Sequence, residues 1–386
     1  MKIKKALLFS TLFCSALVLL SFFLIFKMYT ENKASAAVKK PAQFHFQARE
    51  SVLLSKQLTE EAILGAIGDI LIHDRVYNDA KTQASYDFKP MFEHIKPILG
   101  EPDLLLANQE TILGGTAIGV SSYPMFNSPQ EVGDALIDAG IDIVSTANNH
   151  SLDKGEKGLK ASLDYMDQIG LPHVGTSRSA NERQTLKIMN INGIKAAYLS
   201  YTYGTNGIPV PKGKDYLVNL IDKPFMQEEI HRAKNEADIV VMSLHWGNEY
   251  QLQPTDEQKE LAKYLVDEGV DIIFGHHPHV LQPMEWIEAK DGRKSLVVYS
   301  LGNFLSGQMR DYKDIGGLAT VHITKYIDQK GVKIKLSNPS FFPTYVSNKQ
   351  QKNYRIVPLK EAGSYGMKNA ESKYNEIQEH MLGKLD

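Results

Sequence analysis

Cysteine is almost missing from this chain: its 386 residues include one, Cys14. That excludes an intramolecular disulfide framework and any cysteine-ligated zinc site in the rest of the chain, so metal ligands must be His, Asp, Glu or Asn. An excess of one charge is missing too. Lys and Arg number 43 against 45 Asp and Glu, interspersed, for a formal net charge of −2, which leaves no basic footprint for a nucleic-acid partner. Nor does the chain have the composition of disorder. With 43% apolar and 23% charged residues it can bury a sizeable core, in one large domain or two small ones.

One long apolar run stands out at the N-terminus. Lys2, Lys4 and Lys5 precede "ALLFSTLFCSALVLLSFFLIF", Ala6 to Phe26, which is long enough to cross a bilayer core as a helix. The positive flank places residues 1–5 in the cytoplasm, 6–26 in the cell membrane as a single-pass signal anchor, and everything after Lys27 outside the membrane. The competing reading is a cleaved signal peptide, because Ala34 and Ala36 satisfy the small-residue cleavage pattern. The run exceeds the usual signal core of about 7 to 15 residues, which favours the uncleaved anchor. Phe13 ahead of Cys14 argues against lipidation there. Residues 27–60 are polar and without period, the pattern of an extracytoplasmic linker.

Past Leu64, short β-type runs alternate with helical stretches, as in an α/β domain. Four runs share a form of Asp, apolar residues, then a polar tip: "DLLLANQE" from Asp103, "DIVSTANNH" from Asp142, "DIVVMSLHWGNE" from Asp238 and "DIIFGHHPH" from Asp271. A further run, "ILGAIGD", ends at Asp69. Such runs fit strands buried on both faces, and in open α/β sheets ligands bind at the carboxyl ends of strands, where these tips fall. Residues 135–150 and 264–279 also match each other as helix, glycine cap, buried strand and histidine loop.

The tips bring together Asp69, Asn108, Glu110, Asn148, Asn149, His150, His245, His276, His277 and His279. This mixed oxygen and imidazole set suits a divalent zinc, manganese or iron ion and is too nitrogen-rich for calcium. A lone strand-end histidine is more often structural than a ligand, but several tips bearing histidine, with others bearing Asp and Glu, argue for a shared metal site. Asn303 in "YSLGNF" ends another buried-type strand and either lines the same cleft or makes a turn. Arg75, Lys89 and Arg310 read as solvated charge, and Trp246 and Trp286 as packing.

"GD" at Gly68, "ANQET" at Ala107, "NNH" at Asn148, "HWG" at His245, "GHHPHVLQ" at Gly275 and "YSLGNF" at Tyr299, all in this order, resemble the CapA/PgsA family of capsule and poly-γ-glutamate biosynthesis proteins, itself similar to calcineurin-like metallophosphoesterases. The resemblance covers roughly residues 60 to 310 and implies a four-layer αββα sandwich of the metallophosphoesterase type over residues 61–345. It further implies Asp69, Glu110, Asn149, His245, His277 and His279 as metal ligands and His150 as the nearby acid, with Asn108, Asn148, His276 and Asn303 facing substrate. The sequence leaves open which of His276 and His277 points inward. Two departures weaken a dinuclear site: Leu71 stands where the phosphoesterase pattern has a histidine, and the second motif lacks its Gly-Asp, with His73 or Glu110 as partial replacements. The implied partners are poly-γ-glutamate or a related anionic polymer, a membrane-bound polyglutamate ligase complex and the membrane. An active metal-dependent hydrolase, a phosphoesterase or γ-glutamyl hydrolase, is the alternative to an accessory role in polymer synthesis or export.

After Ile315, "GGLATVHITKY" and "VKIKLSNPSFF" alternate like strands joined by a hairpin over 325–331. Residues 346–386 read as an extension ending in a surface helix with a solvated His380.

Overall fold

A computed structural model describes residues 58–385 and Lys27. The expected membrane anchor and most of the expected linker lie outside the described residues. Among the described residues no helix is long and apolar enough to cross a membrane.

Strands in chain order are β1 (Leu58–Leu71), β2 (Leu104–Gln109), β3 (Ile143–Ser145), β4 (His173–Val174), β5 (Lys187–Ile191), β6 (Ile194–Thr202) and β7 (Ile239–His245). They continue with β8 (Ile272–His276), β9 (Leu281–Glu288), β10 (Lys294–Leu301), β11 (Asn303–Ser306), β12 (Ile315–Asp328), β13 (Gly331–Lys349) and β14 (Lys352–Pro358). The longer helices are α1 (Glu131–Asp138), α2 (Gly155–Ile169), α3 (Lys223–Glu236), α4 (Asp256–Glu268) and α5 (Ala370–Leu382). One sheet runs β14-β13-β12-β1-β2-β3-β4 with β11 also on β1, and the other runs β5-β6-β7-β8-β10-β9.

Side-chain alternation along the parallel strands sets the layers. Leu64, Leu106, Tyr198, Val241 and Phe274 share one apolar core between the sheets. Their neighbours Leu105, Ala107 and Val144 pack instead on α1 and α2 through Leu136 and Leu163. On the far side Ala197, Met242 and Ile273 meet α3 and α4 through Ile230 and Leu265. The order is therefore helices, sheet, sheet, helices.

The leading aspartates of the repeated runs have a common structural role. Each carboxylate accepts a backbone N–H from the neighbouring parallel strand at 2.8 Å: Asp103 from Ile63, Asp142 from Leu105, Asp238 from Lys195 and Asp271 from Val240. The side chain thus prolongs the parallel ladder by one acceptor at the start of the strand, and the same geometry serves both sheets. The two matching segments obey it as well. Gly140 (φ +91°) and Gly269 (φ +126°) follow α1 and α4 and lead into β3 of one sheet and β8 of the other.

Glycines in the quoted motifs answer to close backbone approach. A Cβ at Gly68 would lie 2.0 Å from the Gly302 carbonyl oxygen, and one at Gly275 would lie 1.9 Å from that of Tyr299. Removing the side chain lets the ends of β1 and β8 press against the β10–β11 segment, which carries Asp69 and the histidines toward a common point.

Two boundaries differ from the sequence reading. The strand β1 begins at Leu58, inside the expected 27–60 linker, because Leu58–Ile67 pairs antiparallel with β12. The sheet also runs through position 345 to Pro358, with Val346, Tyr354, Ile356 and Val357 buried, so 346–386 is not an appendage. Charged Lys349, Lys352 and Arg355 hide that pattern in the sequence. Helix α5 docks Ile377 and Met381 into the inter-sheet core, and His380, expected in solvent, places Nε2 3.0 Å from the Leu281 carbonyl oxygen. The expected hairpin after β12 is present, with Asp328 opposite Gly331.

Candidate metal centre

Carboxyl ends of β1, β2, β7 and β8 meet where the sheets approach, and they carry an almost fully buried cluster. Asp69 at the end of β1 and Glu110 just past β2 have no exposed surface, and His245, His276, His277 and His279 are all buried. Asp69 is held from three sides: Asn108 Nδ2 donates to Oδ1 at 2.8 Å, His279 Nδ1 lies 3.1 Å from Oδ2, and His276 Nδ1 lies 3.4 Å from Oδ1. Burial alone would raise its pKa, but His276 and His279 together hold the carboxyl well below its usual range.

Glu110 is the opposite case. Neither carboxylate oxygen finds a hydrogen-bond partner, and Oε1 lies 3.7 Å from His245 Nε2 and 3.8 Å from His279 Nε2. Burial, then the charges of Asp69, Glu249 and Asp153, push its pKa well above the usual value. The imidazoles shift the other way. Burial holds His245 well below its ordinary value, and burial with neighbouring His279 takes His277 down to about 3. Both rings are therefore neutral at physiological pH, the form in which imidazole binds metal.

The loop after β8 is bent to make this possible. His277 (φ +96°) and His279 (φ +58°) both have left-handed backbone, uncommon for residues other than glycine and concentrated at functional sites. As a result the rings of His245 and His277 sit 4.8 Å apart and those of His277 and His279 5.9 Å apart. Sequence alone could not choose between His276 and His277. The structure gives both an inward position: His276 approaches Asp69, while His277 joins Glu110 and His245.

Whether these residues fit a divalent ion can be tested on their donor atoms. Ligand atoms of Glu110, His245 and His277 lie within 4.8 Å of one another, as do those of Asp69, Glu110 and His279, and those of Glu249, His277 and His279. Buried Glu110 Oε1 and Oε2, His276 Nε2 and His277 Nδ1 all lack a hydrogen-bond partner in the protein. Unpaired buried donors and acceptors are costly and rare, about 1–3 kcal/mol each, so four in one cluster match a site built for a cation.

Other predicted residues take supporting places. Asn149 Oδ1 is 2.9 Å from His245 Nε2, and its Nδ2 donates to Asn206 Oδ1 at 3.3 Å. His150 sets Nδ1 2.7 Å from Asp153 Oδ2 and rests edge-on against Phe126. Asn108 bridges Asp69 and Ser145, whose hydroxyl donates to Asn108 Oδ1 at 3.1 Å. Asn303 Oδ1 lies 3.1 Å from His279 Nδ1, while its Nδ2 donates to the Lys313 carbonyl at 2.8 Å.

Asn148 does not face the cluster. Its amide donates to the Gln109 and Thr146 carbonyls and its oxygen accepts the His150 N–H, so it shapes the loop. His73 does not stand in for the residue displaced by Leu71. Its Nδ1 lies 3.2 Å from the Leu71 carbonyl oxygen and 3.3 Å from the Gly307 nitrogen, and among the described residues no ligand-spaced group includes it. Burial holds its pKa down to about 4.

Sequence reasoning missed Glu249, Asp153 and Tyr203. Glu249 follows His245 in the "HWGNE" tip and Asp153 follows His150 by three positions, so spacing from an already chosen histidine was the available signal. Tyr203, half exposed, has its ring 4.7 Å from that of His277 and carried no signal.

Comparison with known proteins places this arrangement. The chain is 30% identical over 258 residues to the capsule biosynthesis protein CapA of Bacillus anthracis, covering 64% of this chain and 61% of that protein. It is 31% identical over 264 residues to the PGA biosynthesis protein CapA of Bacillus subtilis (strain 168), covering 67% of each. A probable polyglutamine synthesis accessory protein of Mycobacterium tuberculosis (strain CDC 1551 / Oshkosh) is 24% identical over 186 residues, 45% of this chain and 47% of that one. Among solved structures, a 5'-nucleotidase precursor from Thermus thermophilus aligns with a TM-score of 0.46 at 13% identity, over 77% of this chain and 54% of that chain. The model of the bacterial capsule synthesis protein PGA_cap matches residues 63–308, well over half of the chain, and the chain belongs to that family.

Proposed function

We propose that the chain is a membrane-anchored, outward-facing component of poly-γ-glutamate or related capsule-polymer synthesis or export, working beside a membrane-bound polyglutamate ligase, with a divalent ion held at the β1–β2–β7–β8 cluster. The anchor rests on the apolar run from Ala6 to Phe26, and the polymer on the names of the CapA relatives. The single observation carrying the metal reading is the buried, unpartnered Glu110 carboxylate facing neutral His245 and His277.

Asp69, Glu110, His245, His277 and His279 would hold the ion, with the Asn149 amide oxygen as a further ligand. A bound zinc, manganese or iron ion would lower the pKa of a water molecule and polarise the oxygen of a scissile group. The chain's own residues set up the rest. Asn108 and His276 fix the orientation of Asp69, and Asn303 orients the His279 ring through Nδ1. Asp153 fixes the orientation of the His150 ring through Nδ1, which would set that ring as the nearby acid toward a leaving group. The architecture accords with a metallophosphoesterase-type fold.

A second reading is supported by Leu71, which is buried at the end of β1 and offers no ligand. With one metal position impoverished, the site grips the emerging polymer without cutting it. Measuring bound metal in the full chain, then turnover of polyglutamate and of a generic phosphoester by wild type and His279→Ala, separates these. Metal with turnover lost in the variant establishes a hydrolase. Metal with polymer binding and no turnover establishes the accessory role, and no metal in either protein removes the metal reading.

A further inference from the structure

A second polar cavity lies away from the cluster, where β4 at the edge of one sheet faces β5 and β6 of the other. It is partly open to solvent and holds about 180 Å³, and His173, Arg183, Tyr198, Asn219, Lys187 and Glu229 are among its lining residues. Four buried polar atoms on that lining find no partner in the protein: His173 Nδ1, Arg183 Nε, Tyr198 Oη and Asn219 Oδ1. Three of their side chains are more than nine-tenths buried, with Tyr198 only 1% exposed and His173 and Asn219 each 7%.

The kinds of atom define what they would accept. Arg183 Nε is an obligate donor on a fixed positive charge, and its guanidinium is already anchored by Nη1 donating to the Asp215 carbonyl at 2.6 Å and by stacking 3.9 Å over Phe225. Tyr198 adds a hydroxyl donor. His173 uses Nε2 at 3.1 Å from Asp167 Oδ1, so a ring that donates there presents Nδ1 as an acceptor, alongside Asn219 Oδ1. Glu229 contributes a carboxylate, one oxygen of which already takes the Tyr201 hydroxyl. The lining thus offers donors with a cation and acceptors with an anion in the same small space.

Phe at position 198 would pack in the inter-sheet core as well as Tyr does. A buried hydroxyl without a hydrogen-bond partner is costly, so its presence points to a ligand. We infer that this cavity is a binding site for a small zwitterion of the α-amino-acid class, its carboxylate on Arg183 and Tyr198 and its ammonium on Asn219, His173 and Glu229. This site is separate from the candidate metal centre and does not depend on the reading of that centre.

Calorimetric titration of the chelator-treated full chain in detergent tests the inference without involving the metal cluster. Probes are glycine and the two enantiomers of glutamate, with acetate and methylamine as single-charge controls. The expected result is saturable millimolar or tighter binding of at least one amino acid, absent for both controls, and weakened about tenfold or more by Tyr198→Phe and by Arg183→Gln. Thermal unfolding of the variants without ligand shows that each is folded, since Tyr198→Phe deletes a hydroxyl that makes no hydrogen bond within the protein. No saturable binding of any amino acid up to about 10 mM overturns the inference. So does equal binding of the controls, or amino-acid binding that both variants leave unchanged.

Discussion

Residues 135–150 and 264–279 are the same device used twice with different outcomes. Each has a helix, a left-handed glycine, an aspartate that extends the ladder of the next strand, a buried strand and a histidine tip. In the first copy each tip side chain already has a protein partner. Asn148 bonds the backbone, His150 leans on Asp153, and Asn149 meets His245 and Asn206. In the second copy the tip is left unspent: the backbone is left-handed at His277 and His279, and His276 and His277 keep nitrogens without partners. A satisfied tip orients its side chains. An unsatisfied one is poised to receive a ligand, at a cost in strain and desolvation.

The comparison breaks most clearly at the second tip. His279→Ala should lower metal affinity by more than the roughly 100-fold that disturbing an outer partner costs, measured by titration of the chelated chain. Asp153→Asn, at the first tip, should leave metal affinity within a few-fold and reduce any turnover by about 10- to 100-fold, because it alters the contact that orients His150 and is not itself a proposed ligand. Equal losses of metal affinity in both variants would erase the distinction between the tips.

Acid titration sharpens it further. His73 and His277 have folded-state pKa values depressed to about 4 and about 3. The unfolded chain takes up these protons near pH 6.5 and the folded chain refuses them, so their stabilising contribution is complete above pH 6.5 and is lost as pH falls toward those values. His73→Gln should remove on the order of 2 kcal/mol of this dependence between pH 6.5 and 4, read from denaturant midpoints of the chelated protein. An unchanged acid limb would show that burial does not hold His73 neutral.

The smallest effects concern the shared scaffold. Asp142→Ala and Asp271→Ala should each cost about 1–2 kcal/mol by removing one acceptor from the ladder. Asp271 should cost more, since it also pairs with Arg293 Nη1 at 2.9 Å. Chemical denaturation measures both.

Much of this was legible in the residues. Buried apolar runs ending in polar tips marked the parallel strands, and the order of tips marked the cluster, because strand period and carboxyl-end binding are local rules. The role of each tip residue was not legible. Nothing local distinguishes Asn148, whose amide meets the Gln109 and Thr146 carbonyls, from Asn149, whose oxygen meets a histidine 96 positions away. The domain's end was equally hidden, since alternating charges on β14 disguise a strand that only its pairing with β13 reveals. The leading aspartates were visible as a pattern, but their purpose required the neighbouring strand.

Calorimetric titration of the chelated full chain with Mn²⁺ and Zn²⁺, for wild type and Glu110→Gln in buffers of different ionisation enthalpy, tests the central claim most directly. Burial raises the Glu110 pKa well above the usual value, so wild type should bind metal with proton release from this residue and gain affinity as pH rises. The variant should lose both that proton and most of the affinity. Wild type that binds neither ion, or a Glu110→Gln chain that binds as tightly with the same proton release, would contradict the account.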